Sequence, residues 1–157
     1  MIFYIQTEQL INANIDKVWD FFSNPENLNE LTPPDLKFRI VSNIDRKMYH
    51  GQMIEYRIGI LPGIWTKWLT EITHVIDKKI FVDEQRIGPY KIWHHQHIFT
   101  EKENGVLMKD IVTYVVGYGF IGRIANLLFI KRKLKTIFDY RYKKVDEIFN
   151  QKKIPVL

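Results

Sequence analysis

Residues 81–99 have the sequence FVDEQRIGPYKIWHHQHIF, which predicts two antiparallel β-strands joined by a short turn. Apolar and polar side chains alternate on each side of Gly88-Pro89-Tyr90, and this period of two is typical of a strand with one face on a core. Glycine followed by proline favours a turn. The face without Lys, Arg and Glu is the predicted inner face, and it carries Phe81, Asp83, Gln85, Ile87, Trp93, His95, His97 and Phe99.

The same alternation recurs on both sides of this hairpin, in segments 2–13, 37–44, 52–60, 68–76 and 108–116. Breaks occur at Leu61-Pro62-Gly63, Asp77-Lys78-Lys79 and Asn104-Gly105, and Asn-Gly is a strong hairpin signal. Seven strands joined mostly by short turns predict one antiparallel sheet. Its inner face further includes Phe38, Ile40, Ile44, Tyr56, Trp68, His74, Ile76, Asp110 and Tyr114.

Helical patterns lie between the first two strands and after the last one. Asn14 is a suitable N-cap for a helix over 16–23, and a second short helix is predicted over 26–31. A longer helix is predicted from about 121 to 151, and about 30 helical residues span about 45 Å, enough to cross a sheet. Its predicted buried face carries Leu127, Leu134, Phe138, Tyr142, Val145 and Phe149.

These elements predict an α+β fold formed by one domain over residues 1–157. A curved seven-stranded antiparallel sheet would wrap around the long C-terminal helix, and two short helices would lie between strands 1 and 2. Such an arrangement leaves an interior space that either side chains or a bound molecule must fill.

The composition narrows the range of functions. The chain has no Cys, which excludes disulfides and sites built on Cys. Residues 1–11 lack the pattern of a signal peptide, and no stretch holds the roughly 20 apolar residues of a membrane span. We therefore expect a cytoplasmic protein.

The net charge of +5 is concentrated near the C-terminus. Between Arg123 and Lys153, ten Lys or Arg residues accompany three acidic residues. A basic helix can bind nucleic acid or an anionic membrane, but a solvated helix face is the simpler interpretation. We predict no nucleic-acid partner, and we leave open a transient contact with a membrane surface and a monomeric or homodimeric state.

Several ionisable side chains fall on the predicted inner face, where burial without partners is costly. One hypothesis is a closed network, for which Asp83 beside His95 or His97 is suitable. Another is a ligand cavity in which these groups orient a bound molecule. Trp68 and Trp93 similarly fit either the core or the wall of a cavity.

Two further alternatives concern chemistry at the same residues. Asp83, His95 and His97 could form a two-His, one-carboxylate metal site, or they could transfer protons. We predict no metal and no cofactor, and we assign no catalytic residue. The candidate ligand-binding residues are Tyr56, Trp68, Asp83, Gln85, Trp93, His95, His97, Asp110 and Tyr114.

Segment 120–130 is apolar on nearly all sides and precedes Lys131-Arg132-Lys133. We expect it to be a helix start that is buried between the sheet and loops. The alternative is an apolar lip that touches a membrane surface.

The order of these elements and several motifs resemble the helix-grip, START-like (SRPBCC) superfamily, which includes the birch pollen allergen, polyketide cyclases and coenzyme Q-binding proteins. More narrowly, the chain resembles small bacterial members that also occur fused to epimerase-like domains. The matching segments are 22–28, 31–34, 81–99, 108–114 and the helix with Gly119, Gly122 and Phe138 to Arg141. Gly117 departs from the Pro expected before the helix.

The resemblance implies a ligand cavity, although members range from carriers to enzymes. The preferred hypothesis is a carrier, not an enzyme, that binds a small lipid-like, polyketide-like or isoprenoid-like molecule. One alternative is an enzyme of the polyketide cyclase or hydratase type that uses Asp83 and His95 or His97 as acid and base. Another is a membrane- or partner-binding module that uses the basic C-terminal helix.

Overall fold

A computed structural model describes residues 1–43, 45–61 and 64–151. Its seven strands form one antiparallel sheet in the order β1-β7-β6-β5-β4-β3-β2, as predicted. Ile44 and most of the predicted break at 61–63 lie outside the described residues. The strands are β1 (Phe3–Ile11), β2 (Arg39–Ile40), β3 (Met53–Leu61), β4 (Ile64–Ile76), β5 (Ile80–Ile87), β6 (Tyr90–Lys102) and β7 (Gly105–Val116).

The helix that follows β1 is α1 (Ile15–Phe22). The side chain of Asn14 caps it by accepting a hydrogen bond from the Lys17 N–H at 2.9 Å. The second predicted helix is a 3₁₀ helix over Pro25–Asn29, and another 3₁₀ turn covers Pro34–Leu36. Proline at the start of each suits a short turn because its missing N–H is not needed there.

The C-terminal helix runs from Gly119 to Asn150 in four consecutive parts. They are α2 (Gly119–Ala125), a π-helical turn (Asn126–Ile130), α3 (Lys131–Val145) and a second π-helical turn (Asp146–Asn150). Leu134, Phe138 and Val145 are buried against the sheet, as the periodicity predicts. The predicted fold, a curved antiparallel sheet around one long helix, is therefore confirmed.

The core is aromatic where α1 meets the sheet. The Trp19 ring lies edge-on to Phe81 and Phe99, with centroid distances of 6.0 and 5.4 Å. Phe149, at the end of the C-terminal helix, packs edge-on against Phe21. These contacts join the short helix, the middle of the sheet and the end of the long helix into one packed region.

Extra residues in three strands change which side chains face the helix. In β4 the pairing moves from Ile72–Asp83 to His74–Val82, which leaves Thr73 as a bulge. Because one extra residue reverses the side-chain phase, His74 and Ile76 are exposed and the prediction that they face inward is wrong.

Bulges in β5 and β6 have similar effects. Arg86 is the extra residue of β5, so Ile87 is exposed instead of facing the core as predicted. Lys91 is the extra residue of β6, and it allows Tyr90 to join Trp93 on the inner face.

The start of the C-terminal helix also differs from the prediction. The first π-helical turn buries Asn126 and exposes Leu127, because the wider turn shifts the helical phase. Tyr142, further along, is exposed as well. The segment 120–130 is therefore mostly a solvent-exposed apolar surface, and the expectation that it is buried is wrong.

A candidate ligand cavity with a polar end

The sheet, the C-terminal helix and the segment 21–38 enclose a cavity of about 790 Å³. This volume lies within the range of small-molecule sites, roughly 300 to 1,000 Å³. The wall is mainly apolar and aromatic. Its principal members are Phe22, Leu28, Leu31, Phe38, Tyr56, Ile58, Trp68, Ile72, Phe81, Tyr90, Trp93, Leu134, Ile137 and Phe138.

Five charged or ionisable side chains meet at one end of the cavity, and we refer to Asp83, His95, His97, Asp110 and Arg141 as the polar cluster. The register of β5, β6 and β7 brings four of them together, because Asp83 pairs with His95 and His97 pairs with Asp110. Directly paired side chains on the same face of a sheet lie close enough to interact.

Each histidine of the polar cluster lies between two carboxylates. His95 Nε2 is 2.8 Å from Asp110 Oδ1, and its Nδ1 is 3.3 Å from Asp83 Oδ2. His97 Nε2 is 2.9 Å from Asp83 Oδ2. His97 Nδ1 is 2.9 Å from Asp110 Oδ1 but has no partner with hydrogen-bond geometry among the described residues.

Arg141 of α3 supplies the fifth member of the polar cluster. One of its terminal nitrogens is 3.8 Å from Asp110 Oδ1, and its guanidinium lies over the Phe138 ring at 5.2 Å. Its Nε is buried without a hydrogen-bond partner among the described residues. Arg141 follows the buried Phe138 by three positions on a helix, and this spacing was the sequence signal that could have identified it.

The electrostatics of the polar cluster favour ionised carboxylates. Burial by itself raises the pKa of Asp83 and Asp110, but the charges and hydrogen bonds of His95 and His97 outweigh it and hold both pKa values well below their usual range. Burial lowers the pKa of His95, yet the two carboxylates raise it above the ordinary value. The raised pKa favours the protonated form of His95, and this charge and the Arg141 guanidinium oppose the charges of the two carboxylates.

Six of the nine residues predicted from the sequence line the cavity, namely Tyr56, Trp68, Asp83, Trp93, His95 and His97. Asp110 lies behind them, and its carboxylate accepts the hydrogen bond of His95. Asp83 is the most accessible of the four sheet residues in the polar cluster, with 18% of its side chain exposed. The polar cluster is therefore internally bonded and also open to the cavity through Asp83.

The other two predicted residues make structural contacts instead. Gln85 is bonded at both ends to the Tyr90 backbone, since its Nε2 donates to the carbonyl at 2.6 Å and its Oε1 accepts from the N–H at 3.2 Å. Tyr114 donates its hydroxyl hydrogen to Asn126 Oδ1 at 2.9 Å, which ties β7 to the π-helical turn. Neither side chain lines the cavity.

Sequence patterns missed the residues at the mouth of the cavity. Leu128, Phe129, Arg132 and Lys133 line it there, and Lys133 forms an ion pair with Asp35 on the opposite side. Tyr90 was missed because no local signal shows the bulge at Lys91 that turns it inward.

The polar cluster also contains the set of side chains that the metal alternative requires. One ligand atom each from Asp83, His95 and His97 can be chosen so that all three lie within 4.8 Å of one another. However, His95 Nε2 and His97 Nε2 already bond to carboxylates, so a metal at these nitrogens would have to displace protons and break these bonds. We do not include a metal in the proposed function.

No family model and no curated protein sequence matches this chain. Solved structures do, including the di-domain ARO/CYC protein StfQ of the steffimycin biosynthetic pathway, with a TM-score of 0.73 and 11% identity over 96% of this chain and 51% of StfQ. Norcoclaurine synthase from Thalictrum flavum, in complex with dopamine and hydroxybenzaldehyde, has a TM-score of 0.63 and 17% identity over 94% of this chain and 88% of that one.

A third similar structure is the protein TTHA0849 from Thermus thermophilus, with a TM-score of 0.62 and 17% identity over 92% of this chain and 98% of that protein. Identities this low establish the fold alone. The chain shares the helix-grip fold of these proteins, as the order of its elements indicated.

Proposed function

We propose that this chain binds a small, largely apolar molecule in its cavity and orients the molecule's polar end against the polar cluster. The observation that carries the proposal is the combination of an apolar wall with Asp83, His95 and His97 at one end of about 790 Å³ of space. A lipid-like, polyketide-like or isoprenoid-like molecule has the matching chemistry. The cytoplasmic location and the choice between monomer and homodimer remain predictions.

The polar cluster can offer a ligand both an acceptor and donors. Both cluster hydrogen bonds to Asp83 use Oδ2, so Oδ1 can accept from a ligand hydroxyl. Arg141 also lines the cavity, and its guanidinium carries several N–H groups that can donate to a ligand oxygen. A few such groups in an apolar pocket fix the orientation of a bound molecule.

Native mass spectrometry of the chain purified from its own host tests this proposal. We expect an added mass that organic extraction releases. Ile137→Trp should reduce it, because a larger side chain would occupy part of the cavity that Ile137 lines. Ile92→Trp is the matched control, since Ile92 is exposed and does not line the cavity. Equal retention of the molecule by both variants would contradict the proposal.

An enzyme of the cyclase type is the second candidate, because the polar cluster combines shifted pKa values with access to the cavity. Asp83 would accept a proton from an enolisable carbonyl compound and protonated His95 would donate one in return, but the lowered pKa of Asp83 makes it a weaker base than an ordinary carboxylate. StfQ and norcoclaurine synthase have the same fold, which is compatible with such chemistry.

Exchange of α-protons of apolar 1,3-diketones in D₂O, followed by NMR, distinguishes the two candidates. An enzyme should accelerate the exchange, and Asp83→Asn should slow it by roughly 100-fold or more, the usual contribution of a general base. Glu84→Gln, on the same strand but outside the cavity lining, is the control. Exchange no faster than in buffer alone would contradict this second candidate and favour the carrier.

A further inference from the structure

The beginning of the C-terminal helix presents large apolar side chains to solvent, and we call Tyr118, Phe120, Ile121, Leu127, Leu128 and Phe129 the helix lip. Tyr118 is 87% exposed, Phe120 72% and Leu127 77%. Soluble proteins rarely expose so many large apolar groups together, and such patches usually mark a docking surface.

Cations surround the helix lip. Residues 118–135 contain Arg123, Lys131, Arg132, Lys133 and Lys135 and no acidic residue. These five charges equal the net charge of +5 of the whole chain. Among the described residues, Lys133 and Lys135 form ion pairs, whereas Arg123, Lys131 and Arg132 form none.

The helix lip also adjoins the mouth of the cavity. Leu128 and Phe129 line that mouth together with Arg132 and Lys133. A surface bound to the helix lip would therefore lie beside the opening through which an apolar molecule enters. Within the described residues no helix is both long and apolar enough to cross a bilayer, so contact with a membrane would be at its surface.

We propose that the helix lip docks this chain on the surface of an anionic lipid membrane. Apolar side chains at a helix surface insert into the boundary between headgroups and acyl chains, and neighbouring Lys and Arg residues bind anionic headgroups. The exposed apolar residues supply the first part, and Arg123, Lys131 and Arg132, which have no ion-pair partner in the part of the chain that the structure describes, supply the second.

A second copy of the chain is a poorer occupant of this surface. In a twofold-symmetric dimer the same patch meets itself. Arg123, Lys131 and Arg132 of one protomer, which form no ion pair among the described residues, would then face the same three cations of the other. An anionic membrane offers both negative charge and an apolar layer. The positive charge of the patch therefore favours a membrane over a second copy of the chain.

Sedimentation of the full chain with vesicles tests the proposal. We expect binding to vesicles of phosphatidylcholine and phosphatidylserine in a ratio of about 7:3 and much weaker binding to phosphatidylcholine alone. Arg123→Gln with Lys131→Gln should weaken the binding to anionic vesicles by about 25-fold, at about fivefold per cation. Phe120→Ser with Leu127→Ser should weaken it by about tenfold or more.

The control is Tyr4→Ser with Lys102→Glu, which changes an exposed aromatic residue and an exposed cation on strands of the sheet and outside the helix lip. It should bind vesicles as the unchanged chain does. Equal binding by all variants, or no binding to anionic vesicles, would overturn the proposal. Concentration-dependent dimerisation that Phe120→Ser abolishes, without vesicle binding, would assign the surface to a second copy instead.

This inference does not depend on the proposed function. The residues substituted in the vesicle experiment do not line the cavity; they are Phe120, Leu127, Arg123 and Lys131. Loss of vesicle binding with retention of the cavity ligand, or the reverse, would therefore separate the two proposals.

Discussion

At the residue scale, the pKa shifts of the polar cluster predict how stability depends on pH. Asp83 and Asp110 have lowered pKa values in the folded chain, so their contribution is present above the unfolded pKa of about 3.9 and is lost as pH falls further. His95 has a raised pKa, so its contribution is present below about 6.5 and is lost as pH rises through the raised value.

The melting temperature should consequently be highest between about pH 4 and pH 6.5 and should fall on both sides. Thermal unfolding followed by circular dichroism from about pH 3 to pH 9 measures this. In His95→Gln the decline on the alkaline side should become smaller, because the group that loses its proton is gone. An unchanged alkaline decline in that variant would mean that another group is responsible.

Asp110 illustrates why partners matter for a buried charge. Its side chain is 8% exposed and accepts the His95 hydrogen bond at 2.8 Å. Asp110→Ala should lower the free energy of unfolding by roughly 3 to 5 kcal/mol, because Asp83 would then be the one carboxylate left to offset the buried cations of the polar cluster. Urea unfolding measures the change.

The matched control for Asp110 is Glu8→Ala. Glu8 forms an ion pair with Lys109 at 3.0 Å across β1 and β7, but the two side chains are 46% and 32% exposed to solvent. Its loss should cost about 1 kcal/mol or less. Similar costs for both substitutions would show that the polar cluster is hydrated and not buried as described.

At the element scale, the junction between β7 and the C-terminal helix depends on one close backbone approach. A Cβ atom at Gly122 would overlap the carbonyl oxygen of Gly117. Gly122→Ala should therefore lower the free energy of unfolding by roughly 1 to 3 kcal/mol, the usual cost of overpacking.

Gly117→Ala is the control for this junction, because a Cβ there would meet nothing within 4 Å. Its effect should stay below about 1 kcal/mol. If Gly122→Ala were equally mild, the helix would be able to move away from β7. The junction also contains the Tyr114–Asn126 hydrogen bond, so such a movement would alter the π-helical turn next to the helix lip.

Strands β4 and β5 show how far the sequence alone predicts which side chains face inward. Alternation correctly placed Asp83 inward, because β5 is regular up to that point. It failed at His74 and Ile87, which follow bulges at Thr73 and Arg86. A bulge is stabilised by how the strand must bend against its neighbours, and a single sequence carries little information about that bend.

At the scale of the whole molecule, the cavity exists because the helix packs tightly at one end of the sheet and less tightly at the other. Val145 and Phe149 join the aromatic core near α1, whereas the exposed Leu128 and Phe129 stand at the cavity mouth. The part of the interior that side chains leave unfilled lies between these two ends.

Filling this space with an apolar molecule should stabilise the fold. N-phenyl-1-naphthylamine at about 100 times its dissociation constant should add about 2.7 kcal/mol to the free energy of unfolding. The measurement is urea unfolding with and without the probe, with Ile137→Trp and Ile92→Trp compared as before. A gain of equal size in Ile137→Trp would place the probe outside the cavity, for example on the helix lip.

The sequence by itself determined the order of elements, the antiparallel sheet and the inward position of Asp83, His95 and His97, since periods of two and 3.6 residues are local properties of the chain. Only the tertiary structure decided that Arg141 completes the polar cluster, that Gln85 and Tyr114 serve the scaffold, and that the helix lip is exposed. These outcomes depend on bulges, π-helical turns and contacts between residues distant in sequence, whose energies arise only when the whole chain is packed.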